Sequence, residues 1–129
     1  MVKKNHLASL QLAIMQILWD REEATIAEVR EALKDARPLA YTTVATMLTK
    51  MERNGQVKHH NEGRINIYRP AVKKDTVSRS MVSDLATRLF HGDVTAMVAH
   101  LLDGCEVTPE ELSQLKALVR EKEREARNA

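Results

Sequence analysis

Apolar residues recur at helical spacing up to residue 53, alternate with polar ones around residues 57–68, and return to helical spacing beyond residue 74. This switch of period, from about 3.6 residues to about 2 and back, bounds the fold more tightly than any other feature. A stretch patterned for a helix does not settle as a strand, nor the reverse. The order is therefore helices, a hairpin, then helices again.

Leu7, Leu10, Ile14, Ile17 and Leu18 set the first helix, which Trp19 closes. In "REEATIAEVREALKD" Thr25 stands as an N-cap with Glu28 three residues on, a capping box, and Ile26, Val29 and Leu33 supply the apolar face. Pro38 then disfavours the helical region for Arg37 and ends that segment. "AYTTVATMLTKMERNG", residues 40–55, reads as a third helix, with Val44, Met47, Leu48 and Met51 as its stripe and Gly55 as its C′ residue. "QVKHH" and "INIYRP" flank "NEGR", whose Gly63 suits a hairpin turn; Val57, Ile65, Ile67 and Tyr68 are the apolar positions. Three helices followed by a two-stranded ribbon make a winged helix-turn-helix, mainly α with a small β wing.

Three further helices are predicted past Pro70. The first carries Val77, Met81, Leu85 and Leu89; the second, "DVTAMVAHLLDG", is capped by Asp93, stopped by Gly104 and apolar at Met97, Val98, Leu101 and Leu102. The third starts with Thr108 as N-cap, Pro109 at N1 and Glu111 at N3, presents Leu112, Leu115, Leu118 and Val119, and ends in a charged tail expected to fray. Short helices with apolar faces and little of their own chain to cover usually pack on a second copy. The expected organisation is thus a DNA-binding domain over residues 1–74 and a helical dimerisation domain over 75–129. Met81, Leu85, Leu89, Met97, Leu101, Leu115 and Leu118 are its expected homodimer residues. The competing disposition folds these helices back on their own domain.

Charge now points to a partner. The net charge is only +2, but residues 1–74 hold 13 Lys+Arg against 8 Asp+Glu, a balance of +5, and the remainder 7 against 10, a balance of −3. A local basic surface fits a polyanion, most often nucleic acid. The third helix sharpens this. Opposite its stripe lie Thr42, Thr46, Thr49, Lys50 and Arg53, with Thr43 on the flank and no acid before Glu52. An ordinary solvent face would carry Glu, Lys and Gln, which are better helix formers. Threonine is short, its hydroxyl donates and accepts, and its methyl can meet a thymine methyl in the major groove. Thr42, Thr43 and Thr46 are the candidate base contacts; Lys50, Arg53, Lys58 and the wing residue Arg64 are candidate phosphate contacts. The other function class open to a winged helix is a protein-assembly module, whose docking face would want exposed Leu, Phe or Tyr.

Enzyme chemistry finds no support: no Gly-rich phosphate loop, G-x-S-x-G or H-E-x-x-H occurs, and Cys105 lies between Asp103 and Glu106, the opposite of a thiolate-activating setting. No cofactor or metal motif stands out. A single Cys permits no internal disulfide and no apolar run reaches the length of a membrane span, so a cytoplasmic protein without membrane insertion is expected.

Together "LASLQLAIMQILW", "LAYTTVATMLTKMERNGQV", "EGRINIYRPAV", "LFHGDVTAMVAHLL" and "LSQLKALV" resemble the BlaI/MecI/CopY family of penicillinase-type repressors over nearly all of residues 7–119. The resemblance implies a homodimeric winged-helix repressor on a pseudo-palindromic double-stranded DNA operator, with the C-terminal helices as its dimer part. It also implies a membrane sensor-protease system that answers a β-lactam, with the cut aligned on His100-Leu101. The multi-cysteine tail of copper-responsive members is absent, and Ala45 stands where some members present a base.

Overall fold

The computed structural model describes residues 9–129; the expected helical position Leu7 lies outside them. In chain order the elements are α1 (Ser9–Arg21), β1 (Ala24–Thr25), α2 (Ile26–Leu33), α3 (Tyr41–Arg53), β2 (Val57–Glu62), β3 (Ile65–Pro70), α4 (Lys74–Phe90), α5 (Val94–Gly104) and α6 (Pro109–Asn128). They fall into two compact units, Met1–Asp84 and Leu85–Ala129.

The first unit is the winged helix. Ile14, Met15 and Leu18 of α1, Val29 and Leu33 of α2, and Val44, Leu48 and Met51 of α3 are buried together with Val57, Tyr68 and Val77. Each such aliphatic contributes roughly 1.5–3 kcal/mol over an exposed position. Met15 takes a core place that helical spacing from Leu10 did not mark, while Ile17 and Met47 lie half-buried at the rim. α2 begins with the expected capping box: Glu28 N–H donates to Thr25 Oγ1 at 3.1 Å, and Thr25 N–H to Glu28 Oε1 at 2.8 Å. That bond, with Lys34 acting similarly on Glu31, holds both carboxyls below the usual range.

The wing has three strands, not two. Antiparallel β2 and β3 pair in register from Val57 opposite Pro70 to Glu62 opposite Ile65, and β1 adds itself to β3 through Ala24 opposite Tyr68. Two residues close the hairpin, and Gly63 has φ +66°, the conformation a II′ turn needs at its first position. Trp19 Nε1 donates to the Val72 carbonyl at 3.0 Å, pinning the end of α1 to the chain that leaves the sheet.

The division after Asp84 falls ten residues past the boundary expected at Lys74, for a physical reason. Val77 is 1% exposed in the winged-helix core and Met81 packs against that core. The first half of α4 is thus part of the winged-helix unit, and Met81, expected at a contact between copies, packs partly within its own chain.

In the second unit Asp93 caps α5 by accepting from Ala96 N–H at 3.0 Å, and Thr108 with Glu111 forms a second capping box at α6. α6 continues past its apolar stripe through the charged tail to Asn128. Ion pairs one turn apart, Glu121 with Arg124 and Lys122 with Glu125, line that stretch. No residue from Leu85 to Ala129 is buried. Leu89 is 64% exposed, Leu101 54% and Leu118 61%. A groove of about 310 Å³ lined by Leu101, Leu102, Leu115 and Leu118 runs between α5 and α6.

Candidate nucleic-acid interface

α3 buries Val44, Leu48 and Met51, and this fixes what its other side presents. Thr42, Thr43 and Thr46 are exposed and make no side-chain hydrogen bond with a described residue. Thr49 differs: its hydroxyl donates to the Ala45 carbonyl at 2.9 Å, which leaves it less to offer a partner. Lys50 and Arg53 lie exposed in the last turn and form no ion pair among the described residues. Ala40 stands at the N-cap with no side-chain bond, unlike Thr25, Asp93 and Thr108 before α2, α5 and α6.

The end of α3 is built to hand the chain to the wing. Gly55, at φ +80°, sends its N–H to the Glu52 carbonyl at 3.0 Å while Gln56 N–H reaches the Met51 carbonyl at 2.9 Å. This is a Schellman closure. Glu52, the first acid on the helix, is held by His59 of β2, whose Nδ1 lies 2.7 and 2.9 Å from the two carboxylate oxygens. The His59 ring also packs on Tyr68, with centroids 5.2 Å apart. His60, its neighbour, turns instead to Glu62 at 3.2 Å. The one acid of α3 is thereby tied to the root of the wing.

Of the wing bases, Arg64 sits at the turn and lines one concavity with Tyr41, the first residue of α3. The wing tip and the entering end of α3 therefore share a surface. Lys58 does not line that concavity. It points away from buried Val57, on the ribbon face that also carries Ile65, and its cross-strand partner is Arg69. Two like charges opposite each other cost stability, and Arg69 is a fifth wing-and-helix base that sequence reasoning counted but did not single out. Tyr41 was missed too; its exposure beside Pro38 and Thr42 was not visible in spacing alone.

Tyr68 of β3 is buried beside the end of α3. Loss of solvent pushes its hydroxyl pKa up, the Glu52 charge adds to this, and hydrogen bonding to Thr49 and Asn66 opposes both. No described helix is long and apolar enough to cross a membrane.

A helix-turn-helix whose third helix exposes threonines and bases, joined by a capped turn to a basic wing, defines a winged-helix DNA-binding protein. Comparison with known sequences makes the class specific: the penicillinase repressor family matches residues 7–121, and the chain belongs to that family. It is 24% identical over 121 residues to the penicillinase repressor of Bacillus licheniformis, covering 94% of each chain. It is 35% identical over 105 residues to the transcriptional regulator BlaI of Mycobacterium tuberculosis, covering 80% of this chain and 76% of that one. The solution structure of the DNA-binding domain of the repressor BlaI superposes with a TM-score of 0.50 at 27% identity, over 57% of this chain and 90% of that one. The family is one of transcriptional repressors, not of enzymes.

Proposed function

We propose that the protein represses transcription as a homodimer that places two α3 helices in successive major grooves of a pseudo-palindromic operator. The observation that carries this reading is the exposed row Thr42, Thr43 and Thr46, hydrogen-bonded to no described residue, on a helix whose one acid is bound by His59. Threonines read base edges, while Lys50, Arg53, Arg64 and Lys58 hold phosphates. The second unit supplies the dimer, because ordering each residue costs roughly 1–2 kcal/mol and no residue there is buried in the protomer to offset it.

Selection of duplexes from a random pool by the intact protein tests the reading. Enriched sites should be inverted repeats with half-sites a whole number of helical turns apart. Thr46→Val should then weaken binding to the selected site and leave random DNA nearly unchanged. Arg64→Ala should weaken both and lower the salt slope by about 0.9. Equal losses for Thr46→Val on both duplexes would refute the assignment.

Release follows from the same geometry. Separating the C-terminal helices would uncouple the two recognition helices, and a cut between His100 and Leu101, the pair that aligns with the cleaved bond of BlaI/MecI repressors, would fall inside α5. A protease acting there needs α5 to open locally, so it acts faster on free repressor than on DNA-bound dimer. Immunoblots during induction should show a product lacking residues 101–129. Full induction with intact repressor would exclude this route and leave a membrane sensor-protease without a role here.

A further inference from the structure

Aromatic side chains are scarce in this chain, and three of the four are used internally. Tyr68 is buried, Trp19 bonds the Val72 carbonyl, and Phe90 packs edge-on against His100 at 5.0 Å. Tyr41 is the exception. It is 48% exposed, and its hydroxyl makes no hydrogen bond with a described residue. It stands at the first position of α3, next to Thr42.

Its surroundings suggest a use. Tyr41 shares a concavity of about 230 Å³ with Arg64, Ile65 and Asn66 of the wing and with Thr25 and Ile26 at the start of α2. The volume falls below the roughly 300–1,000 Å³ of sites that enclose a small molecule. It suits one unit of a polymer lying across it. Its sign is also defined. Arg64 is the one charged residue lining it, whereas the larger concavity beside α2, which Tyr41 also borders, mixes Glu31 with Arg30 and Lys34, and the groove of the second unit carries Glu106 and Glu111. Glu28, one turn along α2, is committed to the Thr25 amide. A cation without a carboxylate, a free phenol and an exposed aliphatic, Ile65, match a phosphate and its sugar.

We infer that Tyr41 is a DNA-contacting residue that grips one backbone unit jointly with Arg64, the phenol donating to the phosphate that the guanidinium neutralises. This rests on the proposed DNA-binding reading and deepens it. A shared phosphate would lock the wing tip and the entering end of α3 onto one strand and so set the register in which Thr42 and Thr46 meet bases.

The test uses the intact protein and its selected duplex, with single phosphates replaced in turn by uncharged methylphosphonate. For the native chain one position per half-site should give the largest loss. Tyr41→Phe should bind the unmodified duplex about tenfold more weakly, the effect of removing a hydrogen bond to a charged group. The same variant and Arg64→Ala should each lose sensitivity at that one position, and their combined loss should be smaller than the product of the two. Thermal melts should be unchanged for Tyr41→Phe, since the ring is kept and the hydroxyl bonds no described residue. Native affinity in Tyr41→Phe, or losses that multiply independently at different phosphates, would overturn the proposal alone. A native chain that binds no duplex would overturn the DNA-binding reading with it.

Discussion

Tyr68 holds its ring in the core while its hydroxyl reaches the seam between α3 and the wing, so it titrates as part of the fold. Burial and the Glu52 charge keep its proton on to higher pH than in an unfolded chain. The sign follows: a raised folded pKa gives stability that is complete below the ordinary tyrosine value near ~10 and is lost as pH rises through the folded value. Tyr68→Phe should therefore flatten the decline of melting temperature between pH ~9 and ~11. Parallel decline in native and variant chains would show that the hydroxyl is not the coupled group. The sequence marked Tyr68 only as an alternating apolar position; that His59 and Glu52 meet beside it depends on the angle at which the hairpin returns to α3, which no local pattern encodes.

Elements were legible where their ends carry chemistry. Thr25 with Glu28, Asp93, and Thr108 with Pro109 and Glu111 each start a helix because the side chain that satisfies the first amides is written next to them. β1 was not legible, since Ala24 and Thr25 become a strand only because β3 passes alongside. The extent of α6 was hard to read for a related reason: charged residues without an apolar stripe look unsupported locally, yet ion pairs at helical spacing line the tail. Gly55 offers the sharpest check on an element boundary. A Cβ there would meet nothing within 4 Å, so Gly55→Ala tests the backbone alone at φ +80°. It should cost about 1–2 kcal/mol in denaturant melts, and Gly55→Asn distinctly less, because asparagine tolerates the left-handed region. An alanine variant as stable as the native chain would mean the Schellman turn is not what joins α3 to the wing.

At the scale of the whole chain, the halves differ in how they satisfy their apolar residues. The winged helix closes its own core, borrowing Val77 and Met81 from α4, which the sequence could not assign because α4 shows one continuous i, i+4 stripe from Val77 to Leu89. Beyond Asp84 the stripe serves no buried position. A fragment ending at residue 84 keeps every buried core residue and sheds the exposed Leu89, Leu101, Leu115 and Leu118. It should melt cooperatively, sediment as a monomer and bind the selected duplex roughly 100-fold more weakly, because linkage of two modules typically adds a factor of ~10²–10⁴. A fragment ending at residue 74 should be less stable, since it discards Val77. In the intact chain Leu101→Asp should reproduce the loss of both dimer and affinity without truncation, while a half-site duplex should bind native and variant chains alike. If the fragment to residue 84 were dimeric, or held the full site as tightly as the intact chain, the contact between copies would have to lie on the winged helix itself.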